Sequence, residues 1–126
     1  MSNIVKMMTI NDSAELQLEE LQFFDVIGAA KNQQEAIELL GELQPDLVTM
    51  DVSDIEMQNK NSGALHCIDQ ILEAKPDTKI LVLCSAKNQR IGIKALMRGA
   101  HSFLQKPFNH EQLSRALKTT STQLLL

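Results

Sequence analysis

The hydrophobic positions of the chain switch repeatedly between two patterns. Short, continuous apolar runs are typical of strands buried on both faces of a parallel sheet, and they alternate with longer segments of helical periodicity. The strand pattern covers residues 4–10, 25–29, 47–50, 79–84 and 102–105. The helical pattern covers residues 13–22, 33–42, 64–74, 88–98 and 110–119. The sequence therefore predicts five consecutive strand–helix pairs.

Residues at the ends of several predicted helices support these boundaries. Asn32 and Asn109 are followed three residues later by Glu35 and Gln112, which is the spacing of a capping box. Gly99 follows the fourth predicted helix where a left-handed residue commonly ends a helix. Strands that alternate with helices of this length favour βα units with right-handed crossovers. We expect a doubly wound, five-stranded parallel sheet in a three-layer α/β/α sandwich.

The length and composition indicate one globular domain. The chain has 126 residues, too few for two domains with separate cores, and its 44% hydrophobic content excludes disordered and fibrous classes. We expect a single domain over residues 1–126, with a core over about 4–119 and a loosely ordered tail over 120–126. No apolar run approaches the roughly 18 residues of a membrane span, and residues 1–10 lack the zones of a signal peptide. We therefore expect a cytoplasmic protein without a membrane partner.

The sulfur-containing residues have the positions of packing residues. Cys67 and Cys84 lack the spacing of a zinc site and lie among apolar residues, so we expect free, buried thiols. Four of the six methionines have core-like spacing: Met7, Met8, Met50 and Met97. We expect these methionines to pack inside the protein rather than to bind a ligand.

The net charge of -4 conceals an uneven distribution. Residues 1–63 contain 3 basic and 12 acidic side chains, whereas residues 64–126 contain 9 and 4. From residue 87 onward there is one acid, Glu111, against Lys87, Arg90, Lys94, Arg98, Lys106, Arg115 and Lys118. This asymmetry suggests an acidic region that holds a cation and a basic region that meets an anionic group or acidic partner. Two solvated helical faces explain it equally well.

Polar residues of several chemical types follow the predicted strands. In an open parallel α/β sheet, the ligand site lies beyond the carboxyl ends of the strands. The residues at these ends are Asn11, Asp12, Asp51, Ser85, Lys106 and Pro107. Two carboxylates, an amide, a hydroxyl and an ammonium at one edge of a sheet are suited to binding a hard cation and receiving a phosphoryl group.

Three stretches of the chain resemble a known family. In order and nearly in spacing, the chain resembles the CheY-like receiver domain of two-component response regulators at PDLVTMD (residues 45–51), ILVLCSA (80–86) and ALMRGAHSFLQKPF (95–108). The resemblance covers nearly the whole chain and implies a flavodoxin-like fold. It also implies a protein of phosphorelay signalling that catalyses only its own phosphorylation and dephosphorylation and is not a conventional enzyme.

The resemblance implies a role for each residue that matches the family's phosphorylation motif. Asp51 resembles the phosphoacceptor, a carboxylate that attacks a phosphohistidine. Lys106 resembles the lysine that pairs with the phosphoryl group, and its bond to Pro107 resembles the family's cis peptide. Ser85 resembles the switch hydroxyl that moves to a phosphoryl oxygen, and Phe103 resembles the aromatic residue that changes rotamer with it. A phenylalanine in a strand is also explained as ordinary core.

The resemblance further implies a Mg²⁺ site at the ends of the first and third strands. Asp12, Asp51 and the backbone carbonyl of Ser53 would be its protein ligands, and Asn11 would hold a metal-bound water. Asp12 with Glu15 also fits a capping box for the first helix. The family usually has a second acid at the position of Asn11, and the loop after Asp51 is longer than its usual form. We therefore expect weakened Mg²⁺ affinity.

The resemblance also indicates partners. In this family, one surface transmits the phosphorylation state to a target; it consists of the last two helices and the strand between them. In this chain the corresponding residues are 88–98, 102–105 and 110–119, and we term this surface the basic face. The positive charge of the basic face favours an acidic target protein or peptide. The resemblance implies that the phosphoryl donor is a sensor histidine kinase or a histidine phosphotransfer domain. We expect a monomer or weak homodimer and, because aromatic residues are sparse, no direct nucleic-acid binding.

Two other interpretations remain open from the sequence. The first is a pseudo-receiver, a protein-interaction module that acts independently of phosphorylation, which Asn11 and the altered loop after Asp51 would permit. The second is a flavodoxin-like small-molecule binder or enzyme. The chain lacks a glycine-rich phosphate loop, which argues against the second interpretation.

Overall fold

The computed structural model of the protein describes residues 5–10, 24–30, 33–51, 61–85 and 89–121. These ranges contain, in chain order, β1 (Val5–Ile10), β2 (Phe24–Ala30), α1 (Gln33–Leu43), β3 (Leu47–Asp51), α2 (Asn61–Ala74), β4 (Lys79–Ser85), α3 (Gln89–Met97), β5 (Ser102–Lys106) and α4 (His110–Thr120). All five predicted strands and the last four predicted helices are confirmed, with small differences at their ends. The first predicted helix, residues 13–22, lies outside the described residues.

The five described strands form one parallel sheet in the order β2-β1-β3-β4-β5. The chain steps from β1 to β2 in one direction and then, from β3 onward, builds the sheet in the other. This reversal confirms the predicted doubly wound, flavodoxin-like arrangement. Because all strands are parallel, their carboxyl ends lie at one edge of the sheet, which we term the carboxyl edge.

Side chains of successive strand residues pack on opposite faces of the sheet. On one face, Met8, Val48, Val82 and Cys84 belong to a buried cluster that also includes residues of α1, α2 and α3. On the other face, Met7, Leu47, Leu81 and Leu83 pack with Leu113 and Leu117 of α4. Helices therefore cover both faces, and the predicted three-layer sandwich is confirmed.

The predicted signals at two helix ends are present. At the start of α4, the Asn109 side chain accepts a hydrogen bond from the Gln112 backbone N–H at 2.8 Å, and the Gln112 side chain accepts one from the Asn109 N–H at 2.9 Å. After α3, Gly99 has a φ of 119°, which favours glycine. A Cβ on Gly99 would also lie 2.6 Å from Cδ1 of Leu72. Asn32, of the other predicted capping box, lies outside the described residues.

One prediction about the methionines is wrong. Three of the four methionines expected in the core are buried, namely Met7, Met8 and Met50, but Met97 is 82% exposed. The inward side of α3 is formed by Ile91, Gly92 and Ala95. Met97 lies two residues after Ala95, about 200° around the helix, and so points to solvent.

A side-chain hydrogen bond joins the end of α4 to the start of β5. Thr120 and Ser121 are buried, and the Thr120 hydroxyl donates to the Ala116 carbonyl at 2.7 Å. The Ser102 and Thr120 hydroxyl oxygens are 2.5 Å apart, and because the Thr120 proton is already donated, Ser102 is the donor between them. Residues 122–126 of the predicted tail lie outside the described residues. Among the described helices, none combines the length and the apolar character that a membrane crossing requires.

Candidate functional site

The carboxyl edge brings together three polar residues that are far apart in sequence. Asp51, Ser85 and Lys106 end the adjacent strands β3, β4 and β5, and Ser85 is directly paired in register with Lys106. The Lys106 Nζ donates a hydrogen bond to Oδ2 of Asp51. The peptide bond between Lys106 and Pro107 is cis. Asp51, Ser85 and Lys106, which were predicted from the sequence to lie at the carboxyl ends of strands, therefore do lie at one edge of the sheet.

The Asp51 carboxylate is held in a largely buried position. It follows four buried residues of β3, and its side chain is 10% exposed, whereas that of Lys106 is 26% exposed. A carboxylate this far from water requires a compensating charge, and the Lys106 ammonium supplies one. A negatively charged group that arrived at Asp51 would meet the same ammonium, while the half-buried Ser85 offers a hydroxyl from the intervening strand.

The buried thiol of Cys84 lies beneath this site. Cys84 directly precedes Ser85 and is fully buried. The pKa of its thiol is raised by burial and, to a smaller extent, by the negative charge of Asp51. Cys67 is also buried, and both cysteines are free, as predicted.

The aromatic ring of Phe103 packs between the sheet and α3. Phe103 is half-buried and contacts the cluster that includes Cys84 and Ile91. Gly92 is the residue of α3 that faces this ring, because a Cβ there would lie 3.0 Å from Cδ2 and 3.2 Å from Cγ of Phe103. Gly92 was not among the residues predicted for the site. A glycine inside a predicted helix, which costs about 1 kcal/mol relative to alanine, was the signal that a packing constraint exists there.

The remaining residues assigned to a Mg²⁺ site, Asn11, Asp12 and Ser53, lie outside the described residues. Asp51 supplies a carboxylate oxygen, the donor type that Mg²⁺ prefers. Together with the Asp12 carboxylate and the Ser53 carbonyl it would form an all-oxygen donor set, which fits this ion. Across the described ranges there is no cluster of three or more His, Cys, Asp or Glu side chains able to hold a metal ion.

Two arginines of the basic face form ion pairs with carboxylate side chains. The Arg98 Nη1 lies 2.5 Å from Oδ2 of Asp69 on α2. On α4, the Arg115 Nη2 lies 3.0 Å from Oε1 of Glu111, one helical turn earlier. Both pairs are solvent-exposed, so each contributes little to stability, but each lowers the positive charge available to a partner.

The outer side of α3 combines positive charge with exposed apolar surface. Arg90 and Lys94 are exposed and form no ion pair with any other described residue. The exposed large apolar side chains in the described part of the chain all belong to the same helix: Ile93 (49%), Leu96 (37%) and Met97 (82%). Apolar surface flanked by charge is typical of a protein-binding surface. Lys87 lies outside the described residues.

Comparison with known proteins identifies the family. The model of the response regulator receiver domain matches residues 8–118. The chain belongs to the response regulator receiver family. The chemotaxis protein CheY of Thermotoga maritima is 36% identical over 98 residues, which cover 78% of each chain. The protein-glutamate methylesterase/protein-glutamine glutaminase of the same organism is 31% identical over 130 residues, covering 97% of this receiver and 36% of that protein.

Solved structures agree on the fold. A response regulator receiver domain protein from Clostridium thermocellum superimposes with a TM-score of 0.77 at 22% identity and covers 98% of this receiver and 100% of that chain. The response regulator domain of Thermotoga maritima CheB gives a TM-score of 0.72 at 23% identity and 98% coverage of both chains. At these identities the likeness establishes the fold alone. The family places the receiver in two-component phosphorelay signalling.

Proposed function

We propose that this receiver is a phosphorylation-controlled switch in which Asp51 accepts a phosphoryl group from a phosphohistidine. The observation that carries the proposal is the contact between Lys106 and Asp51 at the carboxyl edge, beside the end of the strand that carries Ser85. A buried carboxylate with a cation and a hydroxyl-bearing residue beside it matches the needs of an acceptor for a phosphoryl group.

The transfer is a displacement at phosphorus. A carboxylate oxygen of Asp51 attacks the phosphorus of a phosphohistidine on a sensor histidine kinase or a histidine phosphotransfer domain. A P–O bond forms, the P–N bond breaks, and the leaving imidazole nitrogen takes up a proton. The Lys106 ammonium then pairs with the phosphoryl oxygens, and the Ser85 hydroxyl donates a hydrogen bond to one of them.

The proposal includes a Mg²⁺ ion. Asp12, Asp51 and the backbone carbonyl of Ser53 would hold it, and Asn11 would contact it through a water. When bound, the ion neutralises negative charge on the phosphoryl oxygens. Because Asn11 is neutral where the family usually has an acid, the affinity for Mg²⁺ is expected to be weaker than is usual in the family.

The output of the switch is the basic face, which consists of α3, β5 and α4. Contacts from the phosphoryl group to Ser85 and Lys106 favour one of two arrangements of this face, with Phe103 changing rotamer. Arg90 and Lys94, together with the apolar Ile93 and Met97, suit an acidic target protein or peptide that also carries apolar side chains. The receiver itself is a monomer or weak homodimer in this proposal.

An amide NMR titration tests the proposal. Mg²⁺ is added first and then beryllofluoride, a stable mimic of a phosphoryl group on an aspartate, with Asp51→Asn as the control. We expect saturable shifts at Asp51, Ser85 and Lys106 that spread into α3 and α4 and vanish in the control. A folded receiver that shows no shifts has a disabled site, and this result would instead favour a pseudo-receiver that acts independently of phosphorylation.

A further inference from the structure

Gly92 occupies an unusual position inside α3. It is buried in the middle of the helix, on the side that faces the sheet, together with Ile91 and Ala95. Its φ does not lie in the left-handed region, so the backbone does not require glycine there. Since alanine favours helix formation over glycine, the reason for glycine has to lie in the space around it.

That space is occupied by two side chains of the sheet. A Cβ on Gly92 would lie 3.0 Å from Cδ2 and 3.2 Å from Cγ of Phe103, and 3.2 Å from Sγ of Cys84. A methyl group at this position would therefore press on the Phe103 ring and the Cys84 sulfur together. Because the interior is close-packed, one of them would have to shift by a few tenths of an ångström.

Both side chains belong to strands that end in the site. Cys84 directly precedes Ser85 on β4, and Phe103 lies on β5, three residues before Lys106. The negative charge of Asp51 contributes to the raised pKa of the Cys84 thiol, so the sulfur lies within electrostatic reach of the carboxylate. We therefore expect a shift of Cys84 or Phe103 to displace the ends of β4 and β5, which carry Ser85 and Lys106.

We propose that Gly92 is a positioning residue of the phosphoacceptor site. Its missing side chain lets the Phe103 ring seat against α3 and keeps the ends of β4 and β5 in the arrangement that receives a phosphoryl group. The inference rests on the proposed function, since the property it predicts is the affinity of the site for a phosphoryl mimic. It makes α3, which carries the exposed Ile93 and Met97, the helix whose packing responds to the site.

The chain offers a matched control for this inference. Gly41 is also a helical glycine, in α1, but a Cβ there would meet no atom within 4 Å. Gly92→Ala and Gly41→Ala therefore make the same chemical change, with and without the contact. We expect Gly92→Ala to raise the beryllofluoride concentration at half-saturation, with Mg²⁺ present, about fivefold or more. Gly41→Ala should stay within about twofold of the wild type.

A double variant shows whether the effect passes through the ring. In a Phe103→Ala background the Cγ and Cδ2 atoms that meet the methyl are absent and only the contact with Sγ of Cys84 remains, so adding Gly92→Ala should raise half-saturation by a smaller factor than in the wild-type background. This background also keeps the test valid if Gly92→Ala alone does not fold, because it relieves the contact. In thermal unfolding, Gly92→Ala should lower Tm by about 3 °C or more relative to Gly41→Ala in the wild-type background, and by less in the Phe103→Ala background.

The possible results separate this inference from the proposed function. If the wild type binds beryllofluoride and Gly92→Ala binds it as Gly41→Ala does, the role of Gly92 is overturned while the proposed function stands. The role of Gly92 is also overturned if Gly92→Ala raises the half-saturation concentration by the same factor in the wild-type background and in the background that lacks the Phe103 ring. If the wild type itself does not bind beryllofluoride with Mg²⁺, the proposed function fails and the role of Gly92 in the site fails with it. The unfolding temperatures then still decide whether Gly92 seats the ring.

Discussion

Lys106 and Asp51 are 55 residues apart in sequence, yet the Lys106 Nζ donates a hydrogen bond to Oδ2 of Asp51. The two residues end β5 and β3, which are separated in the sheet by β4. The lysine side chain therefore reaches across the strand that ends in Ser85. In the proposed switch a phosphoryl group on Asp51 would pair with the Lys106 ammonium, and the ion pair already places this cation at the carboxylate.

Removing this cation should weaken the site. We expect Lys106→Met to raise the beryllofluoride concentration at half-saturation by about 10- to 100-fold, because a hydrogen bond to a charged group is lost. Lys75→Met is the matched control, since Lys75 follows α2 and precedes β4, at the edge opposite the site. Amide NMR titration measures both variants. Equal affinities for the two variants would contradict the proposed role of Lys106.

His101 makes the stability of the receiver depend on pH. Its Nδ1 accepts a hydrogen bond from the Ile80 N–H at 3.1 Å, so only the form unprotonated at Nδ1 can make this contact. Burial, and then the positive charge of Lys79, lower the pKa of His101 below its ordinary value of 6.5. The folded state thus binds fewer protons than the unfolded state, and the stabilisation is present above pH 6.5 and lost as the pH falls through the folded pKa.

Denaturant unfolding at several pH values between about 7 and 5 tests this dependence. The free energy of unfolding should fall toward acidic pH less steeply in His101→Gln than in the wild type. Parallel slopes for His101→Gln and the wild type would show that His101 does not contribute to the pH dependence.

The thiols should be unreactive in the folded receiver. Burial raises the pKa of the Cys67 thiol to about 11, and burial together with Asp51 raises that of Cys84. At pH 8 only about one Cys67 thiol in a thousand is ionised, and the thiolate is the reactive form. We expect a chromogenic disulfide reagent to modify neither cysteine until guanidinium chloride is added, and then both. Fast modification of either thiol in the native protein would disagree with this packing.

The capping box at the start of α4 should contribute measurably to stability. Asn109→Ala removes the acceptor for the Gln112 N–H, which should cost about 1 kcal/mol. For a domain of this size the loss lowers Tm by about 3–5 °C in a calorimetric scan. Asn109→Asp retains an acceptor oxygen and should stay close to the wild type. If both variants melt alike, the side-chain acceptor has no measurable role.

Local sequence determined most of the secondary structure. The strands are recognisable because both of their faces are buried, which requires nearly continuous apolar residues, and the helices because one side of each is apolar. Asn109 and Gly99 mark helix ends by interactions within a few residues of themselves. Because parallel strands all point the same way, residues at their carboxyl ends lie at one edge of the sheet, and this predicted that Asp51, Ser85 and Lys106 lie there. Their chemical roles stay predictions.

Contacts between distant elements were decided by the tertiary structure. Met97 was expected in the core, but α3 packs on the sheet through Ile91, Gly92 and Ala95, and Met97 lies on the opposite side of the helix. The pairing of Arg98 with Asp69, and the bond from the Ile80 N–H to His101, join residues from separate elements.

Periodicity reports which side of one element is apolar, and it carries no information on how closely or at what rotation two elements pack. Those quantities depend on the shapes of side chains that meet only when the chain is folded. The sequence by itself therefore determined the order of strands and helices and the chemistry at the strand ends. Only the folded packing decided which residues lie against Phe103 and which side of α3 is exposed to solvent.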